Sequence, residues 1–229
     1  LIIQIRTMEV TMNDIKKLRE MTGAGLADCK KALAESEDMD GAVAYLRKKG
    51  QAVAAKRSDR EASEGCVLVK AENGFGAIIA LKCETDFVAN NADFVALTQE
   101  ILDAAVANKC KTLDEVKALP MGSGNVQDAV TERSGITGEK MELDGYCVIE
   151  GENIATYNHM NRNSLCTMLA LSKSVEDATV GKNIAMQIAS AAPVAIDESG
   201  VPQSVKDNEV AVALSLIHIS EPTRRRGIS

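Results

Sequence analysis

The feature that most limits the fold is a pair of short apolar runs, residues 66–70 and 77–83, on either side of the triplet Glu72-Asn73-Gly74. An Asn-Gly pair between such runs is a strong signal for a β-hairpin, because both central positions of the tight turn take positive φ. The sequence therefore predicts two antiparallel strands joined by a turn at Asn73 and Gly74.

Residues 11–50 are predicted to form three short helices. Thr11 followed by Asp14 is typical of a capping box at a helix start. Gly50 follows basic residues 47–49 and stands where a helix-ending glycine is expected. A bundle of about 40 residues buries little surface on its own, so we expect this module to dock onto another part of a structure.

Helical and strand patterns both recur beyond the hairpin. A long helix is predicted to end near Asn108, and a shorter one covers residues 126–134. Three apolar segments within residues 146–172 predict a three-stranded meander. Another helix ends at Pro193, and a last one begins near Ser204. Helices combined with antiparallel hairpins predict an α+β fold.

Both ends of the chain look foreign to this pattern. Met8 or Met12 would be a natural start, and residues 215–229 lose the helical period and turn basic. We interpret this last segment as read-through sequence in place of a native C-terminus; a natural basic tail is the alternative. The predicted organisation is an upstream extension (1–10), a three-helix module (11–50), a charged linker (51–64), a first core subdomain (65–140), a truncated second core subdomain (141–214) and a non-native tail (215–229).

Composition argues against several functional classes. The net charge of −7 disfavours a protein that tracks nucleic-acid phosphates. Six cysteines without a C-x-x-C pair and only two histidines exclude most zinc-site patterns. The sequence contains no phosphate-loop, dinucleotide-binding or nucleophile-elbow motif, so we expect no enzyme, cofactor or metal. Residues 1–5 are too short for a signal peptide or a membrane span, and a cytoplasmic protein is expected.

Residues 82–88, Lys-Cys-Glu-Thr-Asp-Phe-Val, stand where a strand is followed by a helix. Phe87 lies seven residues before Phe94, so on one continuous helix both would face the same way, which favours a place in the core. Asp86 would then be the helix N-cap. Alternatively, Asp86 and Phe87 form a short acidic-aromatic wedge that is presented to a partner.

Two segments carry a resemblance to a known family. Residues 18–33, LREMTGAGLADCKKAL, closely resemble the N-terminal signature of the elongation factor Ts family, and residues 82–88 resemble its second signature. The resemblance covers about residues 12–214 and implies an N-terminal module similar to ubiquitin-associated domains. It also implies a guanine-nucleotide exchange factor for the translational GTPase elongation factor Tu. The remainder of the family's second core subdomain is expected beyond the point where the tail begins.

The resemblance implies a set of contacts with elongation factor Tu, in its GDP-bound and nucleotide-free states. The Asp86-Phe87 pair would wedge between helices of the GTPase domain close to its magnesium site. Many members have Met-Met where this chain has Leu26-Ala27, so Leu26 can keep an apolar contact while Ala27 offers less surface. The expected partner-binding residues are Arg19, Leu26, Ala27, Lys56, Arg57, Thr85, Asp86, Phe87, Val88, Gly138 and His159. No nucleic acid or membrane is expected as a direct partner.

A second function also fits residues 11–50 alone. A three-helix module of ubiquitin-associated type on an α+β scaffold could bind a peptide or a nascent chain without promoting exchange. The Thr-Asp-Phe-Val segment at residues 85–88 favours the exchange factor, since a plain interaction module has no need of it.

Overall fold

The computed structural model describes residues 10–57, 59–177 and 179–217. Residues 1–9, most of the predicted upstream extension, and residues 218–229, most of the predicted tail, lie outside the described residues. Both predictions therefore stay predictions.

Helices and antiparallel strands together confirm the predicted α+β class. The helices of the described residues are α1 (Met12–Thr22), α2 (Leu26–Ala34), α3 (Met39–Lys56), α4 (Asp86–Ala89), α5 (Ala92–Ala107), α6 (Leu113–Ala118), α7 (Val126–Thr137), α8 (Thr179–Ala191) and α9 (Gln203–Ile217). The strands are β1 (Glu64–Glu72), β2 (Phe75–Cys83), β3 (Pro120–Met121), β4 (Gly124–Asn125), β5 (Glu142–Glu150), β6 (Asn153–Asn158) and β7 (Cys166–Leu171). Helix α6 and the short β3–β4 pair were not predicted.

The three predicted N-terminal helices are confirmed as α1, α2 and α3. Thr11 and Asp14 form the expected capping box, in which each side chain accepts a hydrogen bond from the other residue's backbone N–H. Leu18 and Leu33 are fully buried in the small core that the helices share. Helix α3 runs past Gly50 to Lys56, so Gly50 does not end the helix and α3 covers the first part of the predicted linker.

The predicted hairpin is confirmed as β1 and β2, with Asn73 and Gly74 at φ of 50° and 75° in the turn. These strands form a three-stranded antiparallel sheet in the order β1-β2-β5. Helix α5 packs across β1 and β2 and contributes Phe94, which is 1% exposed, to the main core. The sheet and α5 together form the scaffold from which the 82–88 segment emerges.

The predicted three-stranded meander is wrong. Strand β5 pairs with β2, whereas β6 and β7 form a separate two-stranded sheet. An apolar alternation indicates that a segment is a strand, but it does not encode which neighbour the strand pairs with. Leu143 of β5 is almost fully buried beside its β2 partner Leu81, and this burial stabilises the pairing of β5 with β2.

The chain divides into a unit that ends at Ala189 and a second unit that begins at Ser190. In the second unit, Asp197 caps a single 3₁₀ turn by accepting hydrogen bonds from the backbone N–H groups of Ser199 and Gly200. Helix α9 follows and includes the predicted helix near Ser204. Within the described residues, helices of the length and apolarity that a bilayer crossing requires are absent.

Candidate functional site

The 82–88 segment leaves the sheet through a capped turn. Thr85 is the N-cap of the four-residue helix α4, and its Oγ1 accepts a hydrogen bond from the Val88 N–H at 3.4 Å. Asp86 is therefore the first helical residue and not the N-cap, which corrects the sequence interpretation. Asn91 caps α5 in the same manner. Two caps in close succession make α4 a short, separate projection.

Phe87 is 85% exposed at this projection, whereas Phe94 is buried in the core. The interpretation that placed both side chains on one buried face is wrong, because α4 ends at Ala89 and the chain turns before α5 begins. Fully burying a side chain of this size contributes about 1.5–3 kcal/mol, and the folded chain leaves that contribution unused. An exposed Phe next to the acidic, exposed Asp86 is therefore available to a partner.

Glu139 fixes the base of the projection from another part of the chain. Its carboxylate accepts hydrogen bonds from the Thr85 backbone N–H at 3.1 Å and from Thr85 Oγ1 at 2.7 Å. Glu139 follows Gly138, which ends α7 in the left-handed conformation at φ 73°. The Ser134 hydroxyl donates to the Glu139 carbonyl at 2.5 Å. Gly138, predicted as a partner contact, thus also forms the turn that directs Glu139 towards Thr85.

Glu84 connects the same segment to the residues after α3. Its carboxylate accepts two hydrogen bonds from Arg57, at 2.9 and 3.0 Å, and one from the Lys140 backbone N–H at 2.6 Å. Arg60 adds an ion pair at 3.3 Å. The Lys140 N–H lowers the pKa of the Glu84 carboxyl, and Arg57 adds to this effect. Arg57, predicted to contact a partner, is therefore engaged within the chain, while Lys56 is exposed.

Replacing Glu84 by Gln is expected to lower the free energy of unfolding by about 1–3 kcal/mol at neutral pH, because a charged acceptor of several donors is lost. Since the folded-state pKa of Glu84 is lowered, its contribution is complete above the ordinary value of 4.5 and is lost as the pH falls below it. The difference between the wild-type chain and Glu84→Gln should therefore shrink below pH 4.5, measured by urea unfolding at a series of pH values.

Glu72→Gln provides the control, because the Glu72 side chain is 55% exposed and, within the part of the chain that the structure describes, forms an ion pair with Lys70 alone. We expect it to change the stability little at any pH. A wild-type advantage over Glu84→Gln that stays constant through the acid range would contradict the assignment of Glu84 as a charged structural residue.

The N-terminal module presents a second exposed surface. Arg19 and Leu26 line a cleft between the module and the core, and the α1 side chains Met12 and Met21 line it too. Met12, Met21 and Leu26 are each about half exposed or more. Ala27 is exposed but does not line the cleft. The structure thus brings Arg19 and Leu26 together on a surface that mixes exposed apolar side chains with the charged side chains of Lys16 and Glu20.

The cleft has a charged rim on its core side. Arg133 of α7 pairs with Asp93 in the first turn of α5 at 3.6 Å, and both residues line the cleft. Asp93 follows the Asn91 cap, directly after the helix that carries Phe87. The cleft therefore borders the same stretch of chain that presents the projection.

His159 directly follows β6 of the second sheet, at the start of a 3₁₀ turn. Its Nδ1 is 3.1 Å from the Tyr157 hydroxyl, and its side chain is exposed. The turn that follows contains Met160 at φ 52°, an uncommon conformation for a non-glycine residue, with its side chain 65% exposed. Asn163 fixes this turn to the first sheet, since its carbonyl accepts a hydrogen bond from the Val67 N–H at 2.6 Å. His159 and Met160 thus form a separate exposed tip.

Sequence reasoning missed the two acids that position the projection. Glu84 lies inside the signature at residues 82–88, directly before Thr85. This position was the one local signal that Glu84 helps to position the projection. Glu139 is 54 residues from Thr85 in sequence, and nothing local indicates that the two meet. Within the described ranges, no group of three or more His, Cys, Asp or Glu side chains is arranged to hold a metal ion.

The sequence model of a family described as elongation factor TS matches residues 84–223, more than half of the chain. A protein of Bacteroides fragilis named elongation factor Ts is 67% identical over 215 residues, which are 93% of this chain and 65% of that protein. Its namesake in Parabacteroides distasonis is 68% identical over 90% of this chain and 63% of its own length.

A more distant relative extends the similarity. The elongation factor Ts of Porphyromonas gingivalis is 51% identical over 90% of this chain and 75% of its own length. The chain thus spans somewhat less than two thirds of the two more similar relatives and three quarters of this one.

Proposed function

The chain belongs to the elongation factor Ts family, and we propose that it is a guanine-nucleotide exchange factor that promotes GDP release from elongation factor Tu during protein synthesis. The observation that carries the proposal is the exposed Phe87 beside Asp86, on a projection whose base is fixed by Glu84 and Glu139. Such a factor acts in the cytoplasm by non-covalent binding and is not an enzyme in the bond-making sense.

The proposed mechanism begins with docking. The apolar cleft residues Leu26, Met12 and Met21 cover part of the GTPase domain of elongation factor Tu, and Arg19 adds a charged contact at the same surface. Apolar burial supplies most of the association free energy, while rim charges mainly guide orientation. Lys56, Gly138 and the His159 tip are further exposed or half-buried positions that we assign to this interface.

The second step is insertion of the wedge, which we define as Asp86 and Phe87. Phe87 enters between helices of the GTPase domain near the bound Mg²⁺, and Thr85 and Val88 at its base support it. Mg²⁺ screens the phosphate charges of GDP, so displacing the helices beside the ion weakens nucleotide binding. Because the hydrogen bonds of Thr85 and Glu84 hold the projection in place before binding, little conformational entropy is lost on insertion.

The third step is release by a new nucleotide. Coupling between two binding sites is reciprocal, so a factor that weakens GDP binding is itself bound more weakly when a nucleotide is present. Entry of GTP therefore displaces the factor and leaves elongation factor Tu in its GTP state. The factor needs no nucleotide or metal site of its own for this cycle.

The direct test mixes the purified chain with elongation factor Tu of Bacteroides fragilis loaded with a fluorescent GDP analogue. Release of the analogue into excess unlabelled GDP is followed by stopped-flow fluorescence. We expect the rate to rise with the concentration of the chain and then to saturate. If the rate stays at its spontaneous value at every concentration, the proposed function is wrong for this chain.

Leu26→Asp is expected to raise the concentration of the chain needed for half-maximal release by about tenfold, since a buried charge would replace an apolar contact. The release rate at saturation should change little, because the wedge is intact. Lys30→Ala is the control, as Lys30 is exposed on the same helix but does not line the cleft. Equal half-saturating concentrations for the two variants would remove Leu26 from the interface.

The cleft also supports the second candidate function, a ubiquitin-associated type of interaction with a peptide or nascent chain. The observation that favours this function is the presence of three exposed apolar side chains, Met12, Met21 and Leu26, on one small helical module. The two functions differ in their dependence on the wedge. A pure interaction module would bind its partner equally well with or without Phe87, and it would not accelerate GDP release.

A further inference from the structure

The N-terminal module is seated on α7 through an unusually close contact of two glycines. Gly50 of α3 is buried, and a Cβ atom placed on it would lie 3.2 Å from the Thr131 carbonyl oxygen and 3.5 Å from Gly135 Cα. A Cβ on Gly135 would lie closer than 3.0 Å to Gly50 Cα, a separation that real Cβ atoms essentially never show. Only glycine at position 135 allows the two helix backbones to approach this far.

Side chains of α7 extend the same contact into the module. Ile136 is half buried and packs against the core cluster that contains Leu18 and Leu33. Arg47 of α3 donates a hydrogen bond to the Ser123 hydroxyl at 2.5 Å and lies 3.8 Å from the Glu132 carboxylate. Since apolar, polar and backbone contacts all converge, the module is joined to α7 and to the turn at Ser123 before it by a continuous packed interface.

The end of the same helix positions the projection. Ser134 of α7 donates a hydrogen bond to the Glu139 carbonyl, and the Glu139 carboxylate accepts two from Thr85. Gly135 and Ile136, which contact the module, thus lie between Ser134 and Glu139 in sequence. One short stretch of chain, residues 131–139, touches the docking module on one side and the base of the wedge on the other.

We infer that α7 is a rigid spacer that sets the position of the docking surface of the module relative to the wedge, and that Gly135 and Ile136 are positioning residues for exchange. The inference rests on the proposed function. Two contacts on one rigid body reinforce each other only when their separation matches the partner. A displacement of about 1 Å at a site remote from the affected step can lower a rate by as much as about 100-fold.

The test compares Gly135→Ala with Gly50→Ala in the fluorescent GDP release experiment. The added methyl group of Gly135→Ala must push α3 and α7 apart, whereas that of Gly50→Ala lies 3.2 Å from the Thr131 carbonyl oxygen and requires a shift of only a few tenths of an ångström. We expect Gly135→Ala to lower the release rate at saturation about tenfold or more, and Gly50→Ala to lower it less. A role in folding alone would not lower the rate at saturation of the folded protein.

Ile136→Ala keeps the inference testable if Gly135→Ala does not fold, as judged by circular dichroism. This variant removes packing between α7 and the module without a backbone clash. We expect a smaller fall in the rate at saturation, together with faster amide hydrogen exchange in α3 around Gly50. If the folded variants release GDP at the wild-type rate at saturation, the spacer role of α7 is wrong. If the wild-type chain itself does not accelerate release, the proposed function is wrong.

Discussion

Phe87→Ala is expected to lower the rate of GDP release at a saturating concentration of the chain by about tenfold or more, as for a buried aromatic hot spot. The reason is that Phe87 is 85% exposed in the free chain and, under the proposed function, becomes buried against elongation factor Tu as the tip of the wedge. The free energy of unfolding should change by less than about 0.5 kcal/mol, because a surface substitution away from packing and caps costs little. Stopped-flow release and urea unfolding of the same preparation measure both quantities.

Phe87→Leu is the matched variant for this experiment, since it keeps an apolar side chain on the same backbone. We expect it to retain more of the exchange rate than Phe87→Ala and to be equally stable. If Phe87→Ala is strongly destabilised, the exposed position of Phe87 is wrong. If it is stable and exchanges at the wild-type rate, Phe87 is not the group that disturbs the partner.

Phe94→Ala is expected to lower the free energy of unfolding by about 3–5 kcal/mol, the range for removing a buried aromatic side chain. Phe94 is 1% exposed and joins α5 to the sheet, so its loss leaves a cavity that close-packed neighbours cannot fill. Urea unfolding followed by circular dichroism measures the effect. Phe87 and Phe94 thus form a pair of identical residues with opposite expected outcomes, one on exchange and one on stability.

The contrast has a control in the kinetics. A Phe94→Ala preparation that remains folded at low temperature should still promote GDP release from elongation factor Tu. The rate should be closer to the rate with the wild-type chain than the rate with Phe87→Ala is. A loss of stability below about 1 kcal/mol would contradict the packing described for α5, because such a value is typical of removing a single methylene group.

Local patterns predicted the hairpin and most helices because their causes are local. The Asn73-Gly74 turn requires positive φ, and the capping box at Thr11 requires only residues within one helical turn. The same logic misled at Gly50, which looked like a helix end. Its lack of a side chain allows the close contact with Gly135 of α7, and no local pattern could reveal a contact between residues so far apart in sequence.

The candidate site shows the same contrast between features that have local causes and features that depend on the tertiary fold. The spacing of Phe87 and Phe94 indicated a shared buried face, because periodicity assumes one continuous helix. The turn at Asn90 and Asn91 breaks that assumption, and only the resemblance to a family signature favoured an exposed wedge. The pairing of Glu139 with Thr85 and of β5 with β2 depends on the tertiary fold, so neither could be predicted from the residues alone.

The most direct test of the central claim, that the wedge acts on the magnesium site of the partner, measures GDP release at a saturating concentration of the chain with Mg²⁺ present and with Mg²⁺ removed by a chelator. Elongation factor Tu alone gives the reference rate under each condition. The account predicts that the chain accelerates release strongly with Mg²⁺ present, and that this acceleration becomes much smaller once the ion is gone. An equal acceleration under both conditions would contradict it.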